Sequence, residues 1–210
     1  KARSIQLDVS NVGSFDTFVQ SVKSSLKEDF ETECILALVN NAGIGAYASI
    51  EATTEAVFDS MVNIHLKAPY FITQKLLPVM SDGGSIVNIS SMNSKRAITK
   101  VLGYNMGKAA VDCYNQWYAV ELANRYGDKL RMNAIAPGFF LTEQNRNLLT
   151  TPDGGYTERG QLVIKQTPFK RFGDASELQG ALVWLLSDAS EFVTGSMVCV
   201  DGGFSIFGGV

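Results

Sequence analysis

The feature that most constrains the fold is a continuous apolar run at residues 35–39, Ile-Leu-Ala-Leu-Val. An alternating strand can leave one face in water. A run apolar at every position must be covered on both faces, as in the interior of a parallel sheet. Further strand-like stretches lie at residues 86–89, 130–136 and 197–200, and a shorter one precedes it at 5–7. Between them the apolar positions change to helical spacing. Phe15, Val19, Val22 and Leu26 predict a helix over 14–29, and residues 53–80 predict two helical segments ending near Pro78. Residues 104–126 predict a long helix, and Asp174 with Glu177 forms a capping box that opens another over 175–186. Strands alternating with helices imply an α/β fold, a doubly wound parallel sheet with helices on both faces.

Such sheets carry their chemistry at the C-terminal ends of the strands. The strand at 86–89 delivers Ser90 and Ser91 there, and a helix begins near Tyr104. Tyr104 and Lys108 lie four residues apart and therefore share one helical face. A free phenol has a pKa of about 10, and an ammonium within roughly 4–6 Å favours the phenolate. Tyr104 would then serve as a general acid–base, with Ser91 bonding the substrate oxygen. Taken alone, the same pattern also describes a half-buried helix tyrosine and a solvated lysine.

The wider constellation separates these readings. Ser91, Tyr104 and Lys108 are accompanied by Asn40-Asn41-Ala42-Gly43, by Asn63, and by Pro137-Gly138 followed by Thr142. In this order and spacing the chain resembles the classical short-chain dehydrogenase/reductase family from about Leu7 to Val210. The resemblance implies a Rossmann-like domain over residues 1–210 that binds NAD or NADP, with residues 139–172 covering and selecting the substrate. It implies Asn63, Ser91, Tyr104 and Lys108 as the catalytic set. Asn63 is then a helix kink whose carbonyl holds a water linked to Lys108; the alternative is an ordinary exposed helix position. Asp8 and Val9 would flank the adenine. Asn41, Ala42, Gly43, Tyr104, Lys108, Pro137, Gly138, Phe140 and Thr142 would line the cofactor. The wide apolar face of the helix at 104–126 would form a homodimer or homotetramer interface, or would simply be buried in the core.

Composition excludes several other classes. With 18 basic and 21 acidic residues the net charge is −3, which argues against nucleic-acid partners. No apolar run approaches the ~18 residues a membrane helix needs. Cys34, Cys113 and Cys199 are odd in number and far apart, which fits buried thiols in a reducing, cytoplasmic compartment better than disulfides. The single histidine, His65, without a cysteine cluster, argues against a metal site, and His65 is read as structural or exposed.

A dinucleotide site of this kind begins with a strand, a glycine-rich turn and a helix N-terminus. Gly13 is the only glycine among the first 42 residues. The sequence therefore predicts a sheet whose first βαβ unit is missing. Residues 5–7 would lack a neighbour in the sheet, the edge at 35–39 would stand open, and cofactor binding by these residues would be weak. The substrate is divided between two leanings. Residues 40–77 resemble 3-oxoacyl-carrier-protein reductases, whereas residues 90–93 and 136–146 resemble D-mannonate oxidoreductases. The second stretch offers Asn93, Gln144, Asn145 and Arg146 to a hydroxylated acid, with the arginine forking onto its carboxylate or remaining a solvated loop charge. A reading of another class is a catalytically silent scaffold of the same fold.

Overall fold

The structure, a computed structural model, describes residues 1–143 and 145–209. In chain order the elements are α1 (Phe15–Phe30), β1 (Ile35–Asn40), α2 (Glu55–Val62), α3 (Ala68–Leu76), β2 (Met80–Ile89) and α4 (Leu102–Tyr126). They continue with β3 (Leu130–Pro137), α5 (Arg146–Leu149), α6 (Glu158–Gln166), α7 (Gln179–Leu186) and β4 (Met197–Val200). The four strands form one parallel sheet in the order β1-β2-β3-β4.

The register explains the two apolar faces. Ile86 pairs with Met132, and both turn to α4, where they pack with Val111, Tyr114, Tyr118 and Leu122. On the opposite face of the same strands, Val87 and Ile135 meet Leu185 of α7. The same alternation therefore buries β2 and β3 on both sides, as their apolar content requires. A third cluster joins Phe15 and Val19 of α1 to Ala68, Ile72 and Leu76 of α3. Among the described residues no helix is long and apolar enough to cross a membrane.

Several expectations are corrected. Residues 5–7 form no strand; Leu7 and Val9 instead turn their side chains onto the Phe15–Val19 cluster. β1 is not covered on both faces. α7 packs on β2 and β3, and Leu36 remains 60% exposed on an edge strand that pairs only with β2 among the described residues. All three cysteines are exposed rather than buried, because each lies at an outward-facing position of its element or loop. Residues 139–172 carry α5 and α6, the latter capped by the Thr157 hydroxyl accepting from Gly160 N–H. The Asp174–Glu177 capping box forms as expected, although it opens a short 3₁₀ turn before α7 begins. The C-terminal residues pack on their own chain, where Arg96 donates to the carbonyls of Ser205 and Phe207.

Candidate active site

The site is assembled where β2 ends. A buried amide network fixes that end. Asn40 donates to Thr73 and Asn88, Asn88 donates to Asn115, and Asn115 donates to the Ser196 carbonyl. The Tyr114 hydroxyl also donates to Asn88, and burial pushes its pKa upward. These groups span β1, β2 and α4, and leaving one unpaired in the core would cost free energy, so they hold the strand ends in one arrangement.

Ser90 is spent on structure: its hydroxyl bonds Asp112 and its N–H donates to the Ile135 carbonyl. Ser91 caps the turn after β2 by accepting from Asn93 N–H at 3.1 Å. Tyr104 lies in the first turn of α4, and Lys108 one turn later. The Lys108 ammonium is 5.6 Å from the centre of the Tyr104 ring and donates to the Ile89 carbonyl at 2.6 Å. Burial lowers the Lys108 pKa to about 8, opposed by the Asp112 carboxylate. The Tyr104 pKa is raised by burial, with a hydrogen bond from Ser91 pulling the other way. This is the reverse of the lowering expected from Lys108, because removing a phenolate from water outweighs the contacts that favour it here.

Asn63 sits half-buried at the junction of α2 with a single π turn, Asn63–Lys67, and its carbonyl accepts the Ala68 N–H. A π turn therefore interrupts the regular helix at Asn63. The residue it presents to the site, however, is His65. Its ring is 1% exposed and meets the Tyr104 ring edge-on with centroids 5.1 Å apart. His65 Nε2 is 2.7 Å from the Ile44 carbonyl. A carbonyl only accepts, so Nε2 carries the hydrogen and Nδ1 is left as a bare acceptor. Nδ1 is buried and has no partner among the described residues. Burial and the nearby Lys108 charge hold the His65 pKa down to about 4, so the ring is neutral at ordinary pH. Gly43 and Gly107 make room for it: a Cβ on either would fall within 3.1 Å or 2.8 Å of the His65 side chain. Sequence reasoning set His65 aside; its only signals were its place beside the Asn63 kink and glycines on either side of the site.

Two cavities are lined by these residues. One, of about 200 Å³ and mainly apolar, is lined by Val9, Asn41, Ala42, His65, Ile89 and Lys108 among others. The other, of about 240 Å³, holds Ser91 and Tyr104 together with Asn93, Gly138, Asn145 and Arg159. The structure thus brings Ser91 and Tyr104 to one cavity, with Lys108 behind them on the other. Asp8 is exposed and bonded to Ser10, outside both. Pro137 ends β3, Phe140 is buried beside Gly173, and the Thr142 N–H is taken by Asn145. Arg146 faces Glu143 at 3.8 Å and is not among the cavity-lining residues. Gln144 lies outside the described residues.

Known proteins share both sequence and fold with this chain. The family model described as enoyl-(acyl carrier protein) reductase, a member of the short-chain dehydrogenase/reductases, matches residues 1–205. The uncharacterized oxidoreductase UxuB of Bacillus subtilis is 47% identical over 131 residues, which are 62% of this chain and 46% of that protein. The chain therefore aligns with less than half the length of this relative. A candidate D-mannonate oxidoreductase from Haemophilus influenzae, solved with bound NAD, superposes with a TM-score of 0.86 at 31% identity, covering 100% of this chain and 79% of that one. A gluconate 5-dehydrogenase from Burkholderia cenocepacia, solved with NADP and tartrate, gives a TM-score of 0.81 at 29% identity over 95% of this chain and 73% of the other. With the family model spanning nearly every residue and the fold superposing on these solved structures, the chain belongs to the short-chain dehydrogenase/reductase family.

Proposed function

We propose that this protein is an NAD(P)-dependent oxidoreductase acting on a carbonyl or secondary alcohol of a small polyhydroxylated acid. The observation that carries the reading is the convergence of the Ser91 and Tyr104 hydroxyls on one cavity, with Lys108 one helical turn behind Tyr104.

The donor set suits the nicotinamide end of such a cofactor. Lys108 is buried, donates to only one carbonyl among the described residues, and lines the apolar cavity beside Asn41 and Ala42. An ammonium has three donors, so it retains hydrogen-bonding capacity for ribose hydroxyls. Val9, at the far wall, would sit beside the adenine, and the segment Pro137, Gly138, Phe140 and Thr142 would border the nicotinamide. When bound, the cofactor supplies the hydride.

The chain supplies the rest. Ser91 holds the substrate oxygen by a hydrogen bond. Tyr104 donates its phenolic proton to that oxygen during reduction and recovers it during oxidation. Lys108, with its ammonium 5.6 Å from the Tyr104 ring centre, stabilises the phenolate left behind. Asn63 would hold, through its carbonyl, a water linked to Lys108, and the His65 ring walls the Tyr104 side chain on one side. Copies of the chain associate through the outer face of α4, where Trp117 and Val120 are exposed.

Two measurements test this. Tyr104→Phe removes the proton and keeps the ring, so turnover of a keto acid with NADH or NADPH should fall by roughly 10²–10⁴-fold while cofactor binding persists. An unchanged rate would remove Tyr104 from the mechanism. Absence of saturable NADH and NADPH binding by the unaltered protein would select the catalytically silent scaffold instead.

A further inference from the structure

Among the described residues that line the cavity holding Ser91 and Tyr104, only Arg159 is charged. The cavity's other polar groups are largely committed. Asn93 donates its side-chain amide to Asn105, and Asn145 donates to the Phe140 carbonyl while accepting from Thr142 N–H. Arg159 differs. Among the described residues it makes no ion pair, and its one hydrogen bond is a long one, 3.5 Å to the Tyr47 hydroxyl.

The guanidinium is nevertheless held in place. Its central carbon lies 5.5 Å from the centre of the Tyr47 ring, and the Lys100 ammonium lies at the same distance from that ring. Arg159 is the second residue of α6, whose first turn is fixed by the Thr157 cap on Gly160. Gly160 in turn packs so closely on the Leu149 carbonyl that a Cβ there would come within 2.1 Å of its oxygen. A planar fork without an ion pair among the described residues, lining a small cavity whose other polar groups are bonded within the protein apart from the reacting hydroxyls of Ser91 and Tyr104, suits a two-oxygen anion.

We infer that Arg159, steadied by Tyr47, is the carboxylate-recognising residue of this site, so that the substrate is an acid bound with its carboxylate on Arg159 and its reacting carbon at Ser91 and Tyr104. The inference rests on the reading of this cavity as the substrate site. It moves acid recognition from Arg146, which faces Glu143, to an arginine on a different helix.

The test uses D-gluconate and D-glucitol, which share one six-carbon skeleton and differ in a carboxylate against a neutral alcohol. Calorimetric binding to the unaltered protein, Arg159→Met, Arg159→Lys and Tyr104→Phe is compared in the presence of saturating cofactor, with thermal unfolding confirming that each variant is folded. The unaltered protein and Tyr104→Phe should bind gluconate more tightly than glucitol. Arg159→Met should weaken gluconate roughly 10- to 100-fold, the usual worth of a charge-assisted bond, and leave glucitol unchanged, while Arg159→Lys recovers part of the loss. Equal affinity for the two ligands in the unaltered protein, including no binding of either, overturns the inference. So does a gluconate affinity that Arg159→Met leaves intact. The catalytic reading fails separately, by turnover that survives Tyr104→Phe.

Discussion

Replacing Gly107 with alanine tests the packing on which the site depends. Gly107 is buried in α4 between Tyr104 and Lys108. The added methyl would stand 2.8 Å from His65 Cβ and 3.4 Å from its Cγ. Cβ is fixed by the backbone, so no side-chain rotation relieves the shorter contact, and α4 must move away from the π turn. Overpacking of this kind costs about 1–3 kcal/mol. Alanine returns up to about 1 kcal/mol of helix propensity over glycine. The net is a loss of about 0–2 kcal/mol, and a loss of about 1 kcal/mol in a chain of this size lowers the Tm by about 2–4 °C. Gly180→Ala is the matched control. It lies exposed in α7, and a Cβ there meets nothing within 4 Å. It gains propensity without the clash and should melt at or slightly above the unaltered protein. Thermal unfolding by circular dichroism should therefore show opposite signs for one and the same chemical change. Turnover should fall in Gly107→Ala alone, because a shift of about 1 Å in catalytic groups can cost 10²-fold. If Gly107→Ala were as stabilising as Gly180→Ala, His65 would not be wedged against α4 and the site would be more loosely built than described.

Two further outcomes are expected. The His65 pKa is depressed from 6.5 to about 4, so the folded chain resists a proton that the unfolded chain accepts. The stability this contributes is fully present above about pH 6.5 and is lost as the pH falls toward 4; urea midpoints should decline through that window more steeply than in His65→Gln, and equal slopes would count against a buried neutral ring. Arg131 is 5% exposed, and its fork donates to the carbonyls of Leu185, Ser187 and Ser190 and to the Ser190 hydroxyl. Arg131→Met would orphan those acceptors at roughly 1–3 kcal/mol for a buried group, and a loss well below that range in urea unfolding would mean that water reaches them.

Local signals in the chain were enough for the elements and for one face of the site. The unbroken run at 35–39 and the largely apolar runs at 86–89, 130–136 and 197–200 became β1 to β4, because short apolar segments of this kind have few other stable placements. Tyr104 and Lys108 came together for an equally local reason: four residues make about one helical turn. The capping box at Asp174 was legible because its partners are three residues apart.

Whatever depended on distant segments was settled by packing. Residues 5–7 carry strand-like residues, yet a strand needs a hydrogen-bonded neighbour, and Leu7 packs onto Phe15 instead. The π turn after Asn63 adds one residue to a helical turn and so rotates the succeeding residues by about 100° relative to an unbroken α-helix. Periodicity drawn through that point cannot show that His65 faces Tyr104. The choice between two arginines is of the same kind. Arg146 and Arg159 look alike as loop charges in the sequence. Only the docking of α6 on α5, with Gly160 against the Leu149 carbonyl, turns Arg159 toward the cavity and leaves Arg146 beside Glu143.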